Sequence, residues 1–248
     1  YAGAGLILMY HRVTPDDGSP CNPTLEVTPQ ALQGAIRYFA ERNYVFFSPD
    51  DLDAFLRGEK RPGRPFVLFT FDDGYRDNLE YALPIFREHN VPFTVHVTTG
   101  LPDRTAVLWW DLLNDLLARG ELEFEVGGKN YTFTNSTPEE TAAARAGLRK
   151  LLKYADIPTF RQLVDVLFEQ RGIDPYARTE ELALGWDQVR ELAADPLVTI
   201  GAHTMGHYVL SQLSESEVRE EIGGAKRILE EKLGRPVVHF AYPYGFRY

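Results

Sequence analysis

FVLFTFDDG, Phe66 to Gly74, opens with a six-residue, almost wholly apolar run and ends on two carboxylates and a glycine. A run this short and this apolar predicts a strand buried on both faces, as in a parallel sheet. Comparable runs lie along the chain. GLILMY (Gly5 to Tyr10) leads into His11-Arg12, and Phe93 to Val97 is a further strand. A strand from Val198 to Ile200 runs through Gly201-Ala202 into His203-Thr204-Met205-Gly206-His207. Val237 to Ala241 runs into Tyr242-Pro243-Tyr244-Gly245, and Tyr44 to Phe47 is a shorter strand. Helices are expected between them. Thr28-Pro29 is a cap followed by proline at the first helical position, with Leu32, Ile36 and Phe39 on one face. Ser48-Pro49-Asp50-Asp51 opens a second helix. Asn78 to His89 is a third, with a kink expected at Pro84, and Glu215 to Leu233 is a long one whose acidic run, Glu215 to Glu221, reads as a solvated face. Strands alternating with helices predict an α/β fold with a parallel sheet, open or closed into a barrel.

Leu101 to Ala183 breaks this rhythm. Trp109-Trp110-Asp111 leads a short helix, ELEFEV and KNYTFT flank Gly127-Gly128 as a hairpin, and two helices follow, about Glu139 to Tyr154 and Thr159 to Arg171. The stretch is expected to be an insertion of about 80 residues on the parallel core, a lid or small subdomain.

The 248 residues carry 26 Lys+Arg against 36 Asp+Glu, a net charge of −10, which argues against a nucleic-acid partner. No apolar run approaches the roughly 20 residues of a membrane span. Cys21 is the single cysteine, so neither an internal disulfide nor a Cys-based zinc site can form. The chain opens at Tyr1 with no basic or apolar leader pattern, and both ends read as edges of an ordered segment. The compartment and oligomeric state are left open.

In parallel βα folds chemistry collects at the C-terminal ends of strands. His11, Asp72-Asp73, His203 and His207, and Tyr242 to Gly245 all follow apolar strands, so they are expected on one rim. Adjacent carboxylates repel unless a cation lies beside them, which would leave one free as a base. The alternative is an Asx-type turn after the strand. The i, i+4 spacing of His203 and His207 would put both imidazoles on one face of a helical turn, as metal ligands, or they are unrelated polar residues in a turn. Two His and one Asp with an open position suit a catalytic divalent metal, Zn first and Co or Ni next. His96 and His239, inside apolar runs, are expected in the core. His11 is either a lining residue of the site or a bystander.

TFDDG (Thr70 to Gly74), HTMGH (His203 to His207) and YPYG (Tyr242 to Gly245) resemble, in order, three motifs of the polysaccharide deacetylases, the NodB homology domain of carbohydrate esterase family four. LILMYHRV (Leu6 to Val13) and GWDQVREL (Gly185 to Leu192) are similar to bacterial members. The resemblance implies a distorted (β/α) barrel with fewer than eight regular strands, here one domain over 1–248 with the insertion at about 101–183. It implies Asp72 as catalytic base, Asp73, His203 and His207 as ligands of a divalent metal, and Pro243 and Tyr244 in the substrate groove, the Tyr244 N–H serving the oxyanion. The implied reaction is removal of acetyl groups from N-acetylated sugars of a polysaccharide or glycan precursor. His11, Trp109 and Trp110 are added as candidate substrate contacts, since aromatic faces, Tyr131 included, suit apolar sugar faces. The competing reading has the Trp pair packing the insertion against the core.

Two departures stand out. The family usually carries an Arg two residues before the Pro, holding the base, where this chain has Ala241; Arg12 and Arg247 are the expected substitutes. Its general acid is usually a His on a later strand, yet only Phe246, Arg247 and Tyr248 follow Gly245. The C-terminal part of the barrel is therefore expected outside this chain, with His11 the first alternative acid to examine. Other readings are a hydrolase of another linear C–N amide bond, or a non-catalytic relative binding glycan or protein, which the two departures would suit and the complete Asp/His/His set would not.

Overall fold

The computed structural model describes residues 3–15 and 25–245; Cys21 and Arg247 lie outside them. The strands are β1 (Gly5–Tyr10), β2 (Arg12–Val13), β3 (Glu26–Val27), β4 (Val45–Phe46), β5 (Phe66–Phe71), β6 (Phe93–Val97), β7 (Leu122–Val126), β8 (Lys129–Phe133) and β9 (Val198–Ala202). The helices are α1 (Pro29–Glu41), α2 (Pro49–Leu56), α3 (Leu83–His89), α4 (Leu113–Leu117), α5 (Pro138–Lys153), α6 (Ile157–Leu167), α7 (Pro175–Leu182), α8 (Trp186–Ala194) and α9 (Glu215–Leu233). None of the described helices is long and apolar enough to cross a membrane.

The main sheet is parallel throughout, in the order β1-β5-β6-β9. β5 is buried along its whole length, as its composition requires. One edge of β5 carries β1; the other is divided, β4 pairing with Phe66 and Val67 and β6 with Phe69 to Phe71. Among the described residues the sheet does not close into a barrel. The expected strand at Val237 to Ala241 is reduced to a single parallel bridge from Phe240 to Ala202. Its first residue is held elsewhere: the Val237 N–H donates to Glu230 and its carbonyl accepts from Lys226, both on α9.

Local signals set the helix starts. Thr28 Oγ1 accepts from Ala31 N ahead of α1, and Ser48 and Asp51 exchange bonds as a capping box ahead of α2. Pro84 does not merely kink one helix: Asn78–Ala82 is a π-helical turn and α3 starts after it.

Of the four apolar clusters among the described residues, two are large. One joins Phe69, Phe71, Phe86, Phe93 and Val95 to α1, α8 and α9. The other lies within the insertion, where Leu116, Leu148, Leu163 and Phe168 are fully buried together. The 101–183 stretch thus has its own core, with the hairpin β7–β8 and helices α5 and α6 where the sequence predicts them.

Candidate active site

Asp73, His203 and His207 meet where β5 and β9 end. Each offers a ligand atom, and these atoms lie within 4.8 Å of one another. Asp73 Oδ1 is 3.1 Å from His207 Nε2 and 3.5 Å from His203 Nε2. Asp73 (φ 73°) and Gly74 (φ 87°) are both left-handed, a conformation Asp tolerates better than most residues. The histidines do not converge by sharing a helical face, as their spacing predicts. Thr204 (φ 67°) and His207 (φ 56°) curl the segment into a loop instead. Thr204 Oγ1 accepts from His207 N, and Thr98 Oγ1 donates to the His203 carbonyl. Glu221 accepts from the N–H groups of Met205 and Gly206 at 2.9 and 2.7 Å. Glu221 is therefore a buried brace for the loop and not part of a solvated face.

The electrostatics suit a cation. Burial opposes ionisation of Asp73, yet His207, His203 and His11 outweigh it and hold the carboxyl at about 2. Burial pushes His203 down to about 4 against the pull of Asp72 and Asp73. His203 Nδ1 lies 3.0 Å from the Ala241 carbonyl, which fixes the proton on Nδ1 and turns the bare Nε2 towards Asp73. Asp73 Oδ1 is buried without a hydrogen bond. An ionised carboxylate, two imidazoles and an orphaned buried acceptor form a donor set that fits Zn, Co or Ni.

These groups line a pocket of about 330 Å³ with His11, Asp72, Trp109, Trp110, Tyr242 and Tyr244. Pro243 is buried and absent from that wall; Tyr242, 66% exposed, stands there. Trp109 is 3% exposed and packs into an apolar cluster while also lining the pocket. Trp110 lies 4.9 Å from the His207 ring, and the Tyr244 ring 4.8 Å from it on centroids. Arg149 and Lys153 of α5 also reach the pocket, Lys153 Nζ lying 4.4 Å from the Tyr244 ring centre. Nothing in the sequence pattern flags these two, because an insertion's docking is a long-range property.

Arg12 does not hold Asp72, and the other expected arginine, Arg247, lies outside the described residues. Arg12 pairs with Asp77 at 2.9 Å. Asp72 Oδ1 instead meets His96 Nδ1 at 3.0 Å. Burial opposes ionisation of Asp72, but the His96 bond and the His203 and His96 imidazoles leave its carboxyl below the ordinary range. His96 is buried as expected, though in this polar pairing; His239 is only half-buried and meets Asp50 at 2.7 Å.

A polar chain ties the insertion to the site. Trp110 Nε1 donates to Tyr75 Oη at 2.7 Å, Tyr75 donates to Asp111 at 2.8 Å, and Asp111 lies 4.0 Å from Arg12. Tyr75 is fully buried. Tyr75→Phe leaves Trp110 without its acceptor and Asp111 without its donor. The expected loss is about 1–3 kcal/mol of stability, measured by denaturant unfolding. An unchanged midpoint would show that water replaces the hydroxyl.

The family model described as "Polysaccharide deacetylase" matches residues 59–161 and 150–248. Over 89 residues the chain is 28% identical to YxkH of Bacillus subtilis (strain 168), which carries a polysaccharide-deacetylase name; the match covers 36% of this chain and 30% of YxkH. The fold is similar to IcaB from Ammonifex degensii, with a TM-score of 0.60 at 21% identity over 99% of this chain and 77% of that one. It is also similar to the Streptococcus pyogenes deacetylase PplD, solved with acetate, with a TM-score of 0.59 at 19% identity over 98% and 75%. At such identities these structures speak for the fold.

Proposed function

The chain belongs to the polysaccharide deacetylase family, and from that premise we propose that it is a metal-dependent N-deacetylase of carbohydrate. Its substrate would be the acetamide of N-acetylated sugars in a polysaccharide or cell-surface glycan precursor. The convergence of Asp73, His203 and His207 beside a second, ionised carboxylate carries this reading. A divalent ion, Zn first, held by those three residues would supply Lewis acidity to the acetyl carbonyl and to the attacking water.

The chain's own residues do the rest. Asp72, ionised at neutral pH, takes the proton of the attacking water. Charge developing on the carbonyl oxygen faces the pocket wall at Tyr244, whose N–H is the proposed donor. The amine must be protonated to leave. Among the imidazoles of the pocket wall, His11 alone is outside the ligand trio, and its carbonyl is fixed by Asn78 Nδ2 at 2.9 Å. We take His11 as the general acid. Tyr242, Tyr244 and Trp110 offer faces for the sugar ring. The distorted barrel belongs to the same proposal. Its support is an open cavity of about 720 Å³ between Ile7 and Met9 of β1 and Phe240 to Tyr242, as expected of a barrel interior.

The test is acetate release from N-acetylated chito-oligosaccharides and N-acetylated cell-wall fragments by zinc-loaded protein. Release should stop when a chelator removes the metal and return when zinc is restored. His11→Gln should lower kcat roughly 10²-fold, the usual scale for a positioned acid. A zinc-loaded protein that releases no acetate from any of these glycans would overturn the reading.

A further inference from the structure

We propose that His96 is the positioning residue of Asp72, holding the carboxylate from behind so that its second oxygen faces the reacting water. The inference rests on Asp72 being the base. It is carried by the register of the sheet. β5 pairs Thr70 with Thr94 and Phe71 with Val95, so one further step sets Asp72 opposite His96. β6 pairs His96 with Gly201 of β9. Side chains alternate along a strand. Leu68, Thr70 and Asp72 on one strand, and Thr94 and His96 on the next, therefore line the same cavity, while Phe69, Phe71 and Val95 enter the core.

Gly201 makes the arrangement possible. A Cβ there would fall inside contact distance of the His96 ring, with Nε2 only 3.1 Å away. The ring occupies that space and presents Nδ1 to Asp72 Oδ1 at 3.0 Å. A carboxylate only accepts, so Nδ1 carries the proton. No lysine or arginine among the described residues forms an ion pair with Asp72.

Asp72 lines both the site pocket and the larger cavity, whereas His96 lines only the cavity. His96 thus reaches one oxygen of the base and none of the ligand trio by hydrogen bond. Asp72 Oδ2 has no hydrogen-bond partner among the described residues, which leaves it for the water. One donor on Oδ1 fixes the plane of the carboxylate, and a base must be held to within a few tenths of an ångström to be effective.

Three variants test this. Leu at 96 keeps bulk and removes the donor; Asn at 96 restores an N–H at the δ position. For His96→Leu we expect kcat for acetate release to fall roughly 10- to 100-fold, the scale of a lost hydrogen bond to a charged group. KM and zinc affinity, read by chelator competition, should stay within about twofold of wild type, because neither pocket wall nor ligands change. His96→Asn should recover most of kcat. Gly201→Ala, which displaces the ring without altering it, should lower kcat in the same sense.

A readout independent of activity is the tautomer. In 15N spectra His96, assigned by the signals lost in His96→Asn, should show a protonated Nδ1, and the signal should shift in Asp72→Asn. The proposal is overturned if His96→Leu keeps wild-type kcat, if zinc affinity falls in step with activity, if Asn is as impaired as Leu, or if Nδ1 proves unprotonated. A wild-type protein that binds zinc and releases no acetate overturns the deacetylase reading instead, and the tautomer then still decides the contact.

Discussion

Asp73→Asn is expected to abolish stoichiometric zinc binding, lowering affinity about 10³-fold or more. Asn keeps the shape of the side chain and tolerates the left-handed backbone of position 73 (φ 73°), so the turn survives. What disappears is the negative charge that both imidazoles face. A unit charge about 4 Å from another is worth about 4 kcal/mol at the effective dielectric of a protein, which is three decades in affinity, and a divalent ion in contact feels more. Zinc content after dialysis, by mass spectrometry, and chelator competition measure it. One tightly held ion per chain in the Asn variant would remove Asp73 from the ligand set. Stability adds a signature in metal-free protein. The folded chain holds the Asp73 carboxyl at about 2, below its unfolded value. Its contribution is therefore present above the ordinary carboxylate range and is lost as pH falls through about 2. The metal-free Asn variant should be less stable than wild type at neutral pH, and the gap should close between about pH 4 and pH 2.

These residues could be found from sequence because each follows an apolar strand directly. The DDG turn and the HxxxH loop needed no knowledge of the tertiary arrangement beyond strands running parallel. The geometry of the histidines was not legible: their spacing suggests a helical face, and only the left-handed Thr204 and His207, braced by Glu221 from α9, explain the convergence. Glu221 itself hides within an acidic helix run whose other members face solvent. From sequence His96 reads as a core residue because its neighbours are apolar. Its partner lies across the ladder, and the register that sets it opposite Asp72 is a long-range property. Val237 to Ala241 fails as a strand for a related reason. Lys226 and Glu230 of α9 take the backbone groups of Val237, so β propensity loses to side-chain bonding. Trp109 and Trp110, adjacent in sequence, both line the pocket and both pack on the same apolar cluster, Trp109 buried and Trp110 half-buried.

Asp72→Asn separates metal binding from chemistry. The substitution leaves Asp73, His203 and His207 untouched, so zinc content should remain at one ion per chain. It also removes a negative charge beside that trio, so zinc affinity should weaken modestly and never collapse as in Asp73→Asn. The amide cannot accept a proton from water, however, and kcat for acetate release should fall at least roughly 10²-fold. KM should change little, since Asp72 is asked to bind the proton and not the sugar. The comparison with His96→Leu then becomes quantitative. If His96 acts only through the base, the double variant Asp72→Asn with His96→Leu should be no slower than Asp72→Asn alone, because a positioning residue has nothing left to position. Losses that multiply in the double variant would give His96 a role of its own. An Asp72→Asn protein that keeps most of its acetate release would move the base elsewhere on the pocket wall, with His11 the next residue to test.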